Sequence, residues 1–209
     1  MSETEGPRPD NPETGGPVSH EIRHAQVSAR VPERVGRGAF STGAIVLQGP
    51  NEFVIDFLVT MARPHQVAAR VVLPPLVLGQ MIAALRENFN MYQQKFGTPP
   101  ALPTAPPGTP QPSVEEIYEQ LKLPDDMLSG MYSNAVMIGH TPSEFWFDFI
   151  TNFFPRSAVS TRVFLSAPQI PRLLQTLTQS FQKFQQQQQR PPGGQLPPSA
   201  PPPEEPRQT

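Results

Sequence analysis

The sequence contains no cysteine, which excludes disulfides, thiolate-bound metals and a cysteine nucleophile. It also contains no run of basic residues. With a formal net charge of −2 and a pI near 6.1, it lacks the clustered Lys and Arg on which polyanion binding depends. The acidic balance therefore argues against nucleic acid as a partner. No apolar stretch approaches the roughly 20 residues that cross a bilayer, so no membrane partner is expected. The first 17 residues are polar and acidic, without the charged-then-apolar pattern of a signal peptide. The expected location is cytoplasmic. Hydrophobic residues reach only 37%, and there is a single tryptophan, Trp146.

Proline, in contrast, is abundant, at 29 of 209 residues. Seven prolines fall between Pro99 and Pro112, and eight more between Pro191 and Pro206. Such segments bury too little apolar surface to offset the entropy of ordering them. The chain then divides into an acidic N-terminal extension (1–30) expected to be disordered, a first folded unit (31–97), a Pro-rich linker (98–112), a second folded unit (113–187) and a Gln/Pro-rich disordered tail (188–209).

The two folded units are copies of one another. Displaced by 92 residues, the sequence aligns with itself without a gap. Glu52-Phe53-Val54-Ile55-Asp56-Phe57 meets Glu144-Phe145-Trp146-Phe147-Asp148-Phe149, Gly38 meets Gly130, Ser41 meets Ser133, and Arg70-Val71 meets Arg162-Val163. Repetition carried through several elements marks a duplicated supersecondary unit.

Each copy reads as strand, strand, strand, helix. The strands are expected at 40–48, 53–60 and 67–73, and at 132–140, 145–152 and 159–165, bounded by Gly, Pro, Asn and Ser turns. A hairpin centred on Arg63 sets Phe53, Ile55, Phe57 and Val59 opposite Leu73, Val71, Ala69 and Val67, all on one apolar face. Centred on Pro155, the second hairpin sets Phe145, Phe147 and Phe149 opposite Leu165, Val163 and Thr161. On the other face Asp56 falls opposite Arg70, and Asp148 opposite Arg162. Such cross-strand pairs contribute about 0.2–1 kcal/mol and oppose a one-residue slip, so all four residues read as structural locks.

The helices follow from apolar residues at helical spacing. Leu78, Met81, Ile82, Leu85, Phe89, Tyr92 and Phe96 form one stripe, ended by Gly97; Ile170, Leu173, Leu174, Leu177, Phe181 and Phe184 form the other. Pro74, Pro75 and Pro168 sit where a first turn tolerates them. The fold class expected is therefore α+β: a tandem duplication of a βββα unit, each an antiparallel sheet with one covering helix, closed into an intramolecular pseudo-dimer. A unit of about 60 residues is marginal alone, which favours association of the two. Side-by-side sheets and packed helices would both serve. Ser113-Val114-Glu115-Glu116 adds a capping box that opens a short helix before the second copy.

Val54 and Leu58 flank Asp56, while Trp146 and Ile150 flank Asp148. These four apolar residues on the sheet's second face are the candidate interface, either between the copies or with another chain. Chemistry finds little support. His20-Glu21-Ile22-Arg23-His24 satisfies H-E-x-x-H, in which His20 and His24 would bind zinc. It lies outside both repeats, and neither Val27 nor Gly43 supplies the further residue that metzincin-like or thermolysin-like patterns require. His65 and His140 have no counterparts across the repeat. Glu52/Asp56 and Glu144/Asp148 would stand about 13 Å apart on a strand, beyond the roughly 5–9.5 Å used by glycosidase carboxylates. Gly36 and Gly38 are too isolated for a phosphate loop. No catalytic residue and no cofactor are expected.

The run Tyr132-Ser133-Asn134, His140-Thr141-Pro142-Ser143-Glu144-Phe145-Trp146-Phe147-Asp148-Phe149 and Arg162-Val163 resembles a small prokaryotic family catalogued as domain of unknown function 3467. The first copy is similar at Glu52-Phe53, Asp56-Phe57, Arg70-Val71-Val72 and Tyr92-Gln93-Gln94-Lys95-Phe96-Gly97, but departs at Phe40-Ser41-Thr42 and Leu73-Pro74-Pro75. The resemblance implies that two units associate and implies no site residues. The expected function is a non-enzymatic binding or scaffold protein that self-associates or grips a protein partner through its sheet. A nucleic-acid-associated regulator and a zinc-dependent hydrolase are the alternatives.

Overall fold

The computed structural model describes residues 29–103, 106, 108, 110, 112–153 and 155–189. The H-E-x-x-H histidines His20 and His24 and the C-terminal prolines lie outside the described residues.

Alternation of apolar side chains produces the hairpins. In the first copy β2 (Gly43–Gln48), β3 (Phe53–Val59) and β4 (His65–Leu73) are antiparallel neighbours. In the second, β7 (Ala135–His140), β8 (Glu144–Thr151) and β9 (Ala158–Ser166) repeat the arrangement. Phe53, Ile55 and Phe57 pair with Leu73, Val71 and Ala69, and Phe145, Phe147 and Phe149 pair with Leu165, Val163 and Thr161. Beyond Phe57 and Phe149 a β-bulge shifts each register, so Leu58 pairs with Val67, and Ile150 with Val159. Val59 therefore faces Gln66, not the expected Val67. A bulge leaves one extra residue unpaired and re-aims the side chains beyond it.

The first strand of each copy is not continuous. It breaks into β1 (Ala39–Ser41) and β2 in one copy, and into β6 (Met131–Tyr132) and β7 in the other. The break is where the chain changes sheets. β1 runs parallel to β9, with Ala39 opposite Val163 and Phe40 opposite Phe164. β6 runs parallel to β4, with Met131 opposite Val71 and Tyr132 opposite Val72. Both registers carry the 92-residue displacement seen in the sequence. Thr42 N–H donates to the Leu58 carbonyl at 2.7 Å, and Asn134 N–H to the Ile150 carbonyl at 3.0 Å, so both crossings are built alike. A shorter exchange precedes each: Arg30 bridges Ala158, while β5 (Leu121–Lys122) pairs with His65 and Gln66 at the start of β4.

Two mixed sheets result, β1-β9-β8-β7 (sheet I) and β2-β3-β4-β5 with β6 also on β4 (sheet II). Parallel pairs join what was expected to be two antiparallel sheets. Each sheet's β2 or β7 edge is the continuation of a strand in the other, so the strand path returns on itself. β2 and β7 remain terminal strands, each paired with a strand on one side only, with α4 and α2 packed against them.

Helix α2 (Pro75–Phe96) starts where Pro74 and Pro75 preset φ, and ends at Gly97, whose φ is 81°. Helix α4 (Ile170–Gln188) follows a 3-10 turn at Ala167–Gln169 that contains Pro168. A single turn, α1 (Glu33–Gly36), precedes β1, and α3 (Val114–Glu119) precedes β5. The expected capping box on α3 is present: Ser113 Oγ accepts from Glu116 N–H at 3.1 Å, and Glu116 Oε2 from Ser113 N–H at 2.7 Å.

The long helices do not simply cover their own sheets. α2 packs against β7 and α4 against β2, each on the other copy. Phe184 and Phe181 of α4 lie 5.3 Å and 6.4 Å from Phe53, centroid to centroid, and Tyr92 of α2 lies 5.3 Å from Phe145. The Tyr92 hydroxyl donates to the Pro142 carbonyl at 2.9 Å. Gly79 lets the helices approach, since a Cβ there would stand 3.1 Å from the Phe181 ring. One hydrophobic cluster therefore spans both copies, with Phe57 beside Phe147 and Phe149 at its centre. Full burial of a side chain such as Leu78, Leu85 or Leu177 contributes about 1.5–3 kcal/mol.

Candidate functional site

The period-two alternation that sends the phenylalanines inward sends Asp56 and Arg70 to the opposite face. There Arg70 Nε and Nη2 donate to the two Asp56 carboxylate oxygens, each at 2.7 Å, and Nη1 donates to the Leu128 carbonyl at 3.1 Å. Asp56 has no solvent exposure. The Tyr118 hydroxyl, on α3, donates to Asp56 Oδ2. Burial and then the carboxylate push the Tyr118 phenol up to about 12. The Asp56 hydrogen bonds hold the Arg70 guanidinium above its ordinary range. In the second copy Arg162 makes the same two bonds to Asp148, at 2.6 and 2.7 Å, and its guanidinium is likewise raised.

Asp56 thus accepts three hydrogen bonds and Asp148 two, and in each copy the bidentate pair ties neighbouring strands together. Glu52 and Glu144 serve turns: Glu144 Oε2 accepts from the Thr141 and Ser143 hydroxyls, both at 2.9 Å, and Glu52 Oε2 from Asn51 N–H at 3.3 Å. His65 opens β4 and His140 closes β7. The His140 ring packs among Tyr92, Phe96 and Phe145, and burial, then the Lys95 charge, lowers its pKa. Among the described residues no group of three His, Cys, Asp or Glu could hold a metal ion.

The four candidate interface residues separate. The bulges turn Leu58 and Ile150 into the interior, at 8% and 0% exposure, so neither is available to another chain. Val54 and Trp146 stay outside and half-buried. Around Trp146 the strand exchange builds something the sequence did not reveal. Phe40 of β1 lies opposite Phe164 of β9, Phe164 opposite Trp146 of β8, and Trp146 opposite Gly139 of β7. Three aromatic rings thus form one row across sheet I, with Phe40 45% exposed at its end. The indole lies over Gly139, where a Cβ would stand 2.0 Å from the ring. The matching row on sheet II is Tyr132, Val72, Val54 and Leu47, aromatic only at its end.

The rows also differ in charge. Exposed Arg37 adjoins Gly38, which abuts the Phe164 ring, whereas Arg30 bridges Ala158 farther down β9 and Arg34 lines the seam between the sheets. The corresponding positions before β6 are Lys122, Asp126 and Ser129. Between the two sheets a cavity of about 230 Å³ lies on the exchange seam, with Arg34, Gly38 and Arg70 facing Asp126, Gly130 and Arg162. Phe40 was missed because its neighbour Phe164 comes from the other copy, whereas Phe164 opposite Trp146 follows from the hairpin register. Only a crossing of β1 makes Phe40 and Phe164 adjacent, and no local pattern signals it.

The fold and its surfaces define an α+β protein of two interlocked units, with ion pairs that hold strands and an aromatic outer row. The chain belongs to the DUF3467 family of proteins of unknown function, which it matches twice in tandem, over residues 1–99 and 104–189. No curated protein and no solved structure matches it. Among the described residues no helix is long and apolar enough to cross a membrane.

Proposed function

We propose that this chain is a non-enzymatic binding protein whose body is an intramolecular pseudo-dimer, and whose aromatic row on sheet I receives an extended polypeptide with apolar side chains and an acidic flank. The observation that carries this reading is the row itself: Phe40, Phe164 and Trp146 aligned across three adjacent strands, with exposed Arg37 next to the Gly38 that abuts Phe164. Aromatic side chains offer large contact area at little conformational cost, and interface cores are enriched in them. Arg37 selects for acidic residues on the ligand and raises the rate of encounter. The duplication supports the pseudo-dimer, since every exchanged pairing recurs at the same displacement in the two copies. Binding through the seam is thereby satisfied within one chain, leaving the outer face for a partner.

The test is titration of the chain ending at Gln189 with a panel of extended peptides graded in apolar and acidic content, read by Trp146 fluorescence. Saturable changes are expected for apolar peptides with an acidic flank. Phe40→Ser should abolish them, while Val54→Thr on sheet II should leave them intact. A panel that never perturbs Trp146 overturns the reading.

A further inference from the structure

The ligand chemistry that this row asks for is present in the chain itself. Resting on the binding role proposed above, we infer that the row on sheet I reads polyproline II, and that its resident occupant is the chain's own segment 197–206. Four observations converge on this assignment.

The first is composition. Pro197, Pro198, Pro201, Pro202, Pro203 and Pro206 lie in that segment, followed within the same run by Glu204 and Glu205. Proline-rich segments favour polyproline II, and aromatic-lined surfaces are what that conformation docks on.

The second is spacing. Polyproline II rises about 3.1 Å per residue with three residues per turn, so side chains three apart repeat every 9.3 Å or so along one ridge. Phe40 and Trp146 sit two strands apart, which is about 9.6 Å at the usual strand separation. Pro198 and Pro201 are three apart, as are Pro203 and Pro206, so one ridge can span the row.

The third is charge. Glu204 and Glu205 follow the proline run directly, and exposed Arg37 stands next to Gly38 against the Phe164 ring, where the other copy has Ser129. Sheet II offers neither the continuous aromatic row nor that arginine, which orients the segment and selects the sheet.

The fourth is reach. α4 ends at Gln188, and eleven residues separate Gln189 from Pro201. In extended form they cover about 34 Å, against a radius of gyration of about 15 Å for a body of this size. A tether of that length holds the segment at an effective concentration on the order of millimolar, so even a weak site is mostly filled. The occupied row is then shielded until a stronger proline-rich ligand displaces the segment.

The experiment compares the full chain with the chain ending at Gln189, using Trp146, the single tryptophan, as reporter. Removing residues 190–209 should shift Trp146 emission to the red and raise its quenching by acrylamide about twofold. A synthetic peptide of residues 195–207 should reverse both changes saturably in the truncated chain and leave the full chain unaffected. Replacing Pro201, Pro202 and Pro203 of the peptide by Ala should weaken binding at least tenfold, and Glu204→Lys with Glu205→Lys several-fold. Identical emission from both chains, together with no response to the peptide, overturns the inference. If apolar acidic peptides of the panel bind the truncated chain but the 195–207 peptide does not, the tail assignment fails while the binding role stands. An emission difference that depends on protein concentration also overturns docking within the chain, because it places the segment on a second copy.

Discussion

A carboxylate with no exposure survives in a protein only when something holds its charge, and Asp56 is held by Arg70 and Tyr118 together. Removing one partner from a buried ion pair costs about 3–5 kcal/mol, whereas replacing all members by apolar groups is often neutral. Arg70→Met should therefore lower stability by about that amount in urea unfolding, and Asp56→Leu with Arg70→Met and Tyr118→Phe should recover most of it. A loss below about 1 kcal/mol for Arg70→Met would place the pair among surface bridges instead. Arg162→Met should cost less, because Arg162 and Asp148 retain 23% and 9% side-chain exposure. Tyr118 adds a pH dependence. Its folded pKa of about 12 lies above the ordinary value of 10.0. Above pH 10 the unfolded chain loses the phenolic proton first, so stability falls as pH rises from about 10 to 12. Tyr118→Phe should remove that component of the alkaline unfolding curve while leaving other alkaline losses in place. The Asp–Arg pairs were legible in the sequence, since a two-residue period dictates what faces what across a hairpin. Tyr118 was not legible, for it reaches Asp56 from the far side of the Pro-rich linker.

At the scale of elements, hydrophobic periodicity specified the two hairpins and the two long helices, and it failed where the chain changes sheets. A strand expected over 40–48 shows no period-two alternation, so nothing in its hydrophobic pattern marks the crossing at Thr42. Serine was the missed signal. Ser41 and Ser133 are both fully buried, with the Ser41 hydroxyl 2.7 Å from the Gly43 carbonyl and the Ser133 hydroxyl 2.8 Å from that of Ser160. Such polar groups at matching positions in an apolar strand mark a place where the ladder is interrupted. The bulges were equally silent, and they account for Leu58 and Ile150 leaving the expected interface. Gly38 and Gly130 carry the exchange itself. Both have positive φ, 65° and 66°, and a Cβ on Gly38 would meet the Phe164 ring at 2.4 Å. Left-handed backbone costs a side-chain-bearing residue about 1–2 kcal/mol, and overpacking adds about 1–3. Gly38→Ala should then lose about 2–5 kcal/mol, and Phe164→Ala in that background should recover only the packing part. Full recovery on adding Phe164→Ala would show that the backbone conformation carries no cost.

For the whole molecule, repetition in the sequence pointed to association of the copies but left the manner open between adjoining sheets and packed helices. Both occur, because each copy lends a strand to the other's sheet and lays its helix on the other's first hairpin strand. A unit near 60 residues buries only about 60% of its surface, whereas one body near 150 residues buries about 70%. The exchange converts the first case into the second, and it makes the covalent link between the copies dispensable once folding is complete. Cleavage at a protease site placed between Ala101 and Ser113 should therefore leave both fragments eluting together in gel filtration. They should part only in denaturant, and the cleaved protein should melt at a lower, concentration-dependent temperature. Fragments that separate under native conditions would show that the copies fold independently and that the exchanged strands contribute little. Association after cleavage would mean that the linker's role is to set effective concentration, which for a short tether is millimolar.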